Sequence, residues 1–282
     1  MKTASLNNLA WQKLKSNKMS FSALLFVVVC LFVGILAVPI SPDKTPMANQ
    51  MYIELATLKP FTKVTFLEMP KEDVKEVFFF EGIFFGKPTE MKRIPISSFS
   101  EEENHLSYFP YRSEMEQNYI GAYKITNQTF FFGTDKYGRD MLSRMLYGIR
   151  ISLSVGFIAV FISLIIGISL GLIAGYFRGR TDDIIMWLVN VIWSIPTLLM
   201  VIAITLALGK GFWQVFVAVG LTMWVEVARI VRGQVLSIRE LEYVEAGKAL
   251  AYKPFRIIFK HILPNVIGPV IVISAANFAA AI

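Results

Sequence analysis

Five stretches of the chain contain no charged residue and no histidine, and hydrophobic residues follow one another through them almost without interruption. They are residues 21–40, 151–177, 184–209, 211–225 and 262–282. A helix needs about 20 apolar residues to cross a bilayer core about 30 Å thick. The pattern therefore predicts an all-α polytopic membrane protein. It excludes a soluble enzyme, a disordered chain and a secreted disulfide scaffold.

The charged residues indicate how the chain is oriented. Of the 282 residues 17 % are charged, and the formal net charge is +7. Lys2, Lys13, Lys15 and Lys18 precede the first tract, Arg178 and Arg180 follow the second, and 229–261 is basic. Because Lys and Arg in short loops stay on the cytoplasmic side, we expect a cytoplasmic amino terminus. The basic charge is then a topology signal, and we expect no nucleic-acid partner.

This topology divides the chain into four parts. Residues 1–18 are predicted to be cytoplasmic, 19–40 to form transmembrane helix 1, 41–148 to form an extracytoplasmic insert, and 149–282 to form the membrane core with a cytoplasmic loop at 229–261. A cleaved signal peptide is the alternative for the first 40 residues. Their apolar run exceeds the 7–15 residues typical of such a peptide, so an uncleaved anchor is favoured.

The insert is predicted to be a small β-containing domain. Phe61 to Leu67 alternates apolar and polar residues, and Val77 to Phe85 is an aromatic-rich apolar run, so both predict strands. Glu101 to Glu103 predict a solvated loop. The aromatic residues of the insert, such as Phe78 and Tyr108, either fill its core or form a protein interface. We find no metal-binding or catalytic pattern in the insert.

Two of the apolar tracts carry features beyond hydrophobicity. Small residues recur at every fourth position in 151–177 and predict close approach of a second helix: Ala159, Ser163, Gly167, Gly171 and Gly175. Polar residues and a proline interrupt 184–209 and predict a kinked helix: Asn190, Trp193, Ser194 and Pro196. Asn190, Trp193 and Ser194 are candidates for a translocation pathway, with interhelical hydrogen bonding as the other interpretation.

Glu226 and Arg229 are expected to lie near the cytoplasmic end of a helix. Their spacing of three residues places them on one face. A structural ion pair is the favoured interpretation, and a proton relay is the alternative.

Two long motifs resemble those of a known family. The first comprises Glu242-Tyr243-Val244-Glu245-Ala246-Gly247-Lys248-Ala249-Leu250 and Lys260-His261-Ile262-Leu263-Pro264-Asn265, and it resembles the EAA loop of membrane subunits of bacterial ABC importers. The second comprises Gly133-Thr134-Asp135-Lys136-Tyr137-Gly138-Arg139-Asp140, Ser143-Arg144, Gly148, Arg150 and Ser152-Leu153. Together they resemble the C-type permease subunit of dipeptide, oligopeptide and nickel importers.

The resemblance implies a type I ABC importer permease fold with five spans present and the sixth missing from this sequence, together with an ATPase-coupling site. The implied coupling residues are Tyr243, Val244, Glu245, Ala246, Gly247, Ala251, Leu263 and Pro264. Two of them depart from the family pattern, which usually has Ala at the position of Gly247 and Gly at that of Ala251. The segment 41–130 matches no family pattern that we recognise.

The implied function is that of a non-catalytic membrane subunit of an ATP-driven peptide importer in the bacterial inner membrane. Its implied partners are a second homologous permease, two ATP-binding cassette subunits, an extracytoplasmic substrate-binding protein and the lipid membrane. No cofactor or metal is expected in this chain, because it lacks a phosphate-binding loop, and ATP and Mg²⁺ are bound by the partner subunits. Nickel, glutathione or a sugar is the alternative substrate.

Two rival classes are an ion-coupled secondary transporter and a membrane-anchored extracytoplasmic interaction protein. The first would need ionisable residues in mid-helix and commonly shows internal repeats. The second would not need an EAA-like loop.

Overall fold

The computed structural model describes residues 6–71, 78, 82, 86–102, 105–209 and 211–282. Its helices are α1 (Leu6–Ser16), α2 (Lys18–Ile35), α3 (Ala37–Ile40), α4 (Met141–Phe177), α5 (Gly179–Trp193), α6 (Thr197–Leu208), α7 (Phe212–Ile238), α8 (Glu242–Ala249) and α9 (Pro254–Ala281). Its strands are β1 (Thr62–Pro70), β2 (Met91–Glu102), β3 (His105–Pro110), β4 (Gln117–Tyr119) and β5 (Lys124–Phe130). The chain forms two compact units, Met1–Ile151 and Ser152–Ile282.

The first unit contains an antiparallel sheet with the strand order β4-β3-β2-β1-β5. Successive side chains of a strand point to opposite faces, and β1 is buried on both. Val64 and Phe66 pack with Tyr52 on one face. Leu67 and Met69 belong to a second apolar cluster. The sheet therefore has a core on each side.

The strand predicted from Phe61 to Leu67 is confirmed by β1. The loop predicted at Glu101 is wrong, because β2 continues to Glu102 and pairs with β3 through Glu101↔Leu106. The cross-strand pairing satisfies the backbone there, while the Glu101 side chain remains exposed. The strand predicted from Val77 to Phe85 lies outside the described residues, apart from Phe78 and Gly82.

The aromatic residues of the predicted insert differ in their burial. Tyr108 is buried in the sheet's core with 5 % of its surface exposed, whereas Phe78 is 72 % exposed.

The second unit is organised by close packing of α4 on α7. A Cβ atom added at Gly167 would lie 2.5 Å from Cβ of Val227, and one at Gly175 would lie 2.6 Å from Cβ of Val235. These distances leave no room for a side chain, which confirms the predicted small-residue stripe. Because the contacts advance along both helices in the same direction, α4 and α7 run parallel.

The segment between α4 and α7 is broken rather than kinked. A single bent helix was predicted through 184–209, but α5 ends at Trp193 and α6 begins at Thr197, at an angle of 94°. Pro196 lacks the N–H that would continue the helical hydrogen bonds. Since α4 and α7 are parallel, α5 and α6 together return the chain to the end at which α7 begins.

Within the described residues, four helices are long and apolar enough to span a membrane, and the α5–α6 pair makes up to five if it counts as one span. The long loop predicted at 229–261 is shorter than expected, because α7 continues to Ile238 and α9 begins at Pro254. Glu226 consequently lies in the interior of α7 and not near its end. Helix α4 likewise begins at Met141, before the predicted start of the membrane core.

The close packing yields a first prediction, tested with matched glycine substitutions on one helix. Gly171→Ala should destabilise the protein by about 1–3 kcal/mol, because the new Cβ would lie 2.6 Å from the carbonyl oxygen of Ala228. Gly148→Ala should be neutral or stabilising, since a Cβ there meets nothing within 4 Å among the described residues. Thermal unfolding in detergent measures both. Equal melting temperatures for the two variants would contradict the close packing.

Candidate functional site

Helix α8 presents one face to the protein and the other to its surroundings. Val244 and Gly247 are buried, whereas Tyr243, Glu245 and Ala246 are exposed. The buried Val244 belongs to the apolar cluster that joins α7, α8 and α9. The Glu245 side chain is exposed and makes no hydrogen bond or ion pair among the described residues.

The carboxyl end of α8 forms a Schellman motif. The N–H of Tyr252 donates to the Gly247 carbonyl at 3.1 Å, and the N–H of Ala251 donates to the Lys248 carbonyl at 2.9 Å. Ala251 has a φ of 56°, the left-handed conformation that glycine adopts most readily. Gly247 needs no such freedom, because an added Cβ would make only ordinary contacts, the nearest at 3.5 Å from Tyr252.

The two halves of the EAA-like motif meet in the structure. The side-chain amide of Asn265 donates to the Tyr243 hydroxyl at 3.2 Å, and His261 stacks on Tyr252 with ring centroids 6.2 Å apart. Leu263 is partly buried and Pro264 is exposed. A π-helical turn at Ile258–Ile262 precedes that proline, as expected where a missing N–H disturbs the regular helical ladder.

An ion pair and a hydrogen bond connect the stretch before α8 to the end of α4. Arg178, between α4 and α5, contacts Glu240 at 2.5 Å, and this hydrogen bond lowers the pKa of Glu240. The guanidinium of Arg239 donates to the Tyr176 carbonyl. The stretch that leads into α8 is thus held against the end of α4.

A second ion pair joins α5 to α7. Arg232 donates to both carboxylate oxygens of Asp182, at 2.5 and 2.6 Å. This bidentate geometry is among the stronger arrangements of charged hydrogen bonds. Neither this pair nor that of Arg178 and Glu240 was predicted. In the sequence, these basic and acidic residues lie close to the ends of successive apolar tracts. Their spacing along the chain does not show which residues pair.

The candidate pathway residues are only partly brought together. Arg229 lies 3.6 Å from the ring centroid of Trp193 and donates to the Asn190 side-chain carbonyl at 2.9 Å. Ser194 instead donates to Val191 of its own helix at 2.7 Å. The predicted ion pair of Glu226 with Arg229 is absent from the described ion pairs, because Arg229 is engaged by α5. Glu226 is exposed.

The motif that begins at Gly133 holds the segment between α3 and β1. The Thr134 hydroxyl accepts the N–H of Leu58 at 2.8 Å. Gly138 has a φ of 71°, and a Cβ there would lie 1.6 Å from the Tyr52 carbonyl oxygen. The Ser143 hydroxyl accepts the N–H of Asp43 at 2.9 Å and donates to Asp140. The motif therefore has a structural role within this unit.

A known family matches the carboxyl-terminal part of the chain. Residues 167–282 match the family described as "Binding-protein-dependent transport system inner membrane component". The matched segment contains α8, the whole EAA-like motif, and the ion-pair residues Arg178, Asp182, Arg232 and Glu240. The resemblance to ABC importer permeases is confirmed.

Individual relatives narrow the comparison. The oligopeptide transport system permease protein OppC of Bacillus subtilis is 43 % identical over 155 residues, which cover 55 % of this chain and 51 % of that protein. The dipeptide transport system permease protein DppC of Lactococcus lactis is 29 % identical over 263 residues, or 93 % of this chain and 67 % of that protein. The chain spans about half the length of the Bacillus subtilis relative.

The second alignment extends further along the chain. An alignment that covers 93 % of this chain includes the segment 41–130, for which no family pattern was recognised. A solved structure of the MetNI methionine ABC transporter in inward facing conformations is also similar, with a TM-score of 0.45, 19 % identity, and coverage of 49 % of this chain and 69 % of that one.

The Schellman motif yields a second prediction. Ala251→Gly should stabilise the protein by about 1 kcal/mol, because it removes the cost of a left-handed alanine. Gly247→Ala should stabilise it by up to about 1 kcal/mol through helix propensity. Melting temperatures of the single and double variants test both expectations. A lower melting temperature for Ala251→Gly would contradict the assigned helix end.

Proposed function

We propose that the protein is the transmembrane subunit of an ATP-driven importer for peptides and forms half of its translocation pathway. The observation that carries the proposal is α8, a short helix with an exposed Glu245 whose base is tied by ion pairs to the transmembrane helices. A short helix with one free face fits a groove of a partner protein. The names of the relatives support peptides as the substrate.

The partners follow from the same proposal. Two ATP-binding cassette subunits bind ATP and Mg²⁺ and receive α8 and its equivalent in a second homologous permease. An extracytoplasmic binding protein delivers the peptide. This subunit has no nucleotide site of its own. ATP can therefore change its conformation only if its contacts with the ATP-binding cassette subunits differ between the two conformations of those subunits.

The two ion pairs connect α8 mechanically to the candidate pathway residues. The ion pair of Arg178 with Glu240 joins the residue before α5 to the stretch before α8, and Asp182 with Arg232 joins the first turn of α5 to α7. At its other end, α5 carries Asn190 and Trp193, next to the break before α6. A displacement of α8 is thereby transmitted along α5 to this break.

The polar residues at the break line the pathway in this proposal. An ionised side chain in the bilayer centre costs about 2.5–3.5 kcal/mol on insertion scales, and such residues face cavities or other helices. The exposed Glu226 therefore faces a water-filled path at the boundary with the second permease. Asn190 and Arg229 extend this polar surface, and Trp193 covers the Arg229 guanidinium.

The topology in the proposal has a cytoplasmic amino terminus and five spans in the bacterial inner membrane. The α5–α6 pair counts as one span, because the parallel packing of α4 and α7 requires the chain to cross back between them. Helix α8 then lies in the cytoplasm and the sheet lies outside. This is the type I ABC importer arrangement that the motifs imply.

The docking role of α8 gives a third prediction. Glu245→Arg should leave membrane insertion intact, abolish most peptide uptake, and separate the ATPase activity of the assembled complex from transport. The reason is that the reversed charge lies on the exposed face and disturbs no described internal contact. Uptake of a labelled peptide and ATP hydrolysis are measured together.

Glu54→Arg is the control, since it makes the same change at an exposed position of the extracytoplasmic unit. It should retain uptake. Normal uptake by the Glu245→Arg variant at normal expression would refute the docking role.

The topology gives a fourth prediction, tested by cysteine labelling in a Cys30→Ala background. Gly211→Cys, between α6 and α7, should react with an impermeant reagent added outside, and Lys248→Cys should react only after the cytoplasmic side is opened. Labelling of both positions from the same side would show that α7 does not cross the membrane and would contradict this topology.

A further inference from the structure

The first helix, α1, lies directly before the first helix that can span the membrane. A single residue, Asn17, separates it from α2, which is long and apolar enough to be a span. At about 1.5 Å per residue, the 18 residues of α2 match a bilayer core about 30 Å thick. Because the linker is one residue long, the last turn of α1 lies at the edge of that core, in or next to the headgroup layer.

Asn17 makes α1 and α2 two separate helices. Its backbone is extended, with a φ of −94° and a ψ of 101°. Its side-chain carbonyl oxygen accepts the N–H groups of Met19 and Ser20, at 3.1 and 3.2 Å, and so caps the start of α2. The chain therefore changes direction at Asn17, and α1 does not continue the axis of α2 away from the membrane.

The carboxyl-terminal turns of α1 have an apolar side with basic flanks. Consecutive residues of a helix differ in direction by about 100°, so Lys13 and Lys15 lie on the two flanks of Leu14. Trp11 lies one turn before Leu14 on the same side, and Gln12 lies on the opposite side. Leu14 is half-buried, whereas Trp11, Lys13 and Lys15 are exposed. This pattern is typical of a helix that lies along a membrane surface.

Trp11 and Lys15 form a pair that suits the headgroup layer. Nζ of Lys15 lies 5.2 Å from the centroid of the Trp11 ring, within the distance of a cation–π interaction. Tryptophan is enriched at the boundary between membrane and water. Lysine extends its apolar stem along such a surface and keeps its ammonium group among the polar headgroups. The indole of Trp11, 49 % exposed, offers an apolar surface that lipid can cover.

The charge of this segment selects the kind of lipid. Residues 1–42 contain four lysines and no Asp or Glu. Lys13, Lys15 and Lys18 are exposed, and none of them forms an ion pair within the part of the chain that the structure describes. A basic residue next to an anionic membrane surface strengthens binding by about fivefold. Anionic phospholipids therefore complement α1, whereas zwitterionic lipids do not.

We propose that α1 lies in the headgroup layer and binds anionic phospholipids. Leu14 and Trp11 face the acyl chains, and Lys13, Lys15 and Lys18 contact the lipid phosphate groups. The assignment to the cytoplasmic leaflet rests on the proposed topology, whereas the contact with anionic lipid does not. Because Asn17 directly joins α1 to α2, this contact sets the depth at which the first span enters the membrane.

Spin labels in the full-length protein test the position of α1. The labels are attached to Gln12→Cys or Leu14→Cys in the Cys30→Ala background, in nanodiscs of phosphatidylcholine with or without phosphatidylglycerol. Accessibility of each label to oxygen and to a polar nickel complex reports its depth. We expect the label at position 14 to lie deeper than that at position 12, and to move deeper when phosphatidylglycerol is present. Equal exposure of both labels to water, as for a helix that docks on another protein, would overturn the proposal.

A second measurement tests the choice of lipid. Energy transfer from a fluorophore at Gln12→Cys to phosphatidylglycerol labelled on its acyl chain reports how strongly this lipid collects around α1 in phosphatidylcholine nanodiscs. Replacing Lys13, Lys15 and Lys18 together by Gln should weaken this binding by about tenfold or more. High salt should weaken it as well, because exposed charges are screened.

The matched control removes three exposed lysines from the sheet, through Lys63→Gln, Lys92→Gln and Lys124→Gln. It changes the net charge by the same amount and should bind phosphatidylglycerol as the unmodified protein does. Thermal unfolding verifies that each variant keeps its fold. Equal energy transfer to labelled phosphatidylglycerol and labelled phosphatidylcholine, or unchanged binding in the triple variant of α1, would overturn the proposal. Both leaflets of these nanodiscs have the same composition, so the result does not depend on the proposed topology.

Discussion

The contact between the glycine stripe of α4 and the valines of α7 is the constraint on which the membrane unit depends. Gly167, Gly171 and Gly175 allow the two backbones to approach until no further side chain fits between them. Such small-residue contacts replace the hydrophobic driving force that is missing between helices in lipid. Because this contact fixes α4 and α7 as a parallel pair, it also determines that α5 and α6 must return the chain between them.

The parallel pair places the charged ends of several helices side by side. Arg178, Asp182 and Arg232 come together at the end where α4 and α7 both finish, and Glu240 joins them from the entrance to α8. Each ion pair alone contributes modestly, and an exposed pair such as Arg178 with Glu240 contributes least. Together they attach the entrance of α8 to α4, α5 and α7.

Some of this could be predicted from the sequence. Helical periodicity revealed the stripe from Ala159 to Gly175, and alternation revealed β1, because both patterns are local. Other features depend on contacts with distant residues. Pro196 predicted a bend but not a complete break, and the spacing of Glu226 and Arg229 predicted an ion pair that Trp193 and Asn190 replace from another helix.

The candidate site shows the same division. The motif located helix α8, and the structure explains why its two departures from the family pattern differ in consequence. Ala251 occupies a left-handed position, whereas Gly247 lies where alanine would fit.

Because of these contacts, we expect α8 to move as one body with the ends of α4, α5 and α7. The most direct test is the distance between spin labels at Ala249 of α8 and Arg180 of α5, measured by pulsed electron paramagnetic resonance in the Cys30→Ala background. The complex with its ATPase and permease partners is compared without nucleotide and with ATP. A narrow distance distribution that ATP leaves unchanged is predicted. A distribution that shifts or broadens with ATP would show that α8 moves independently of α5.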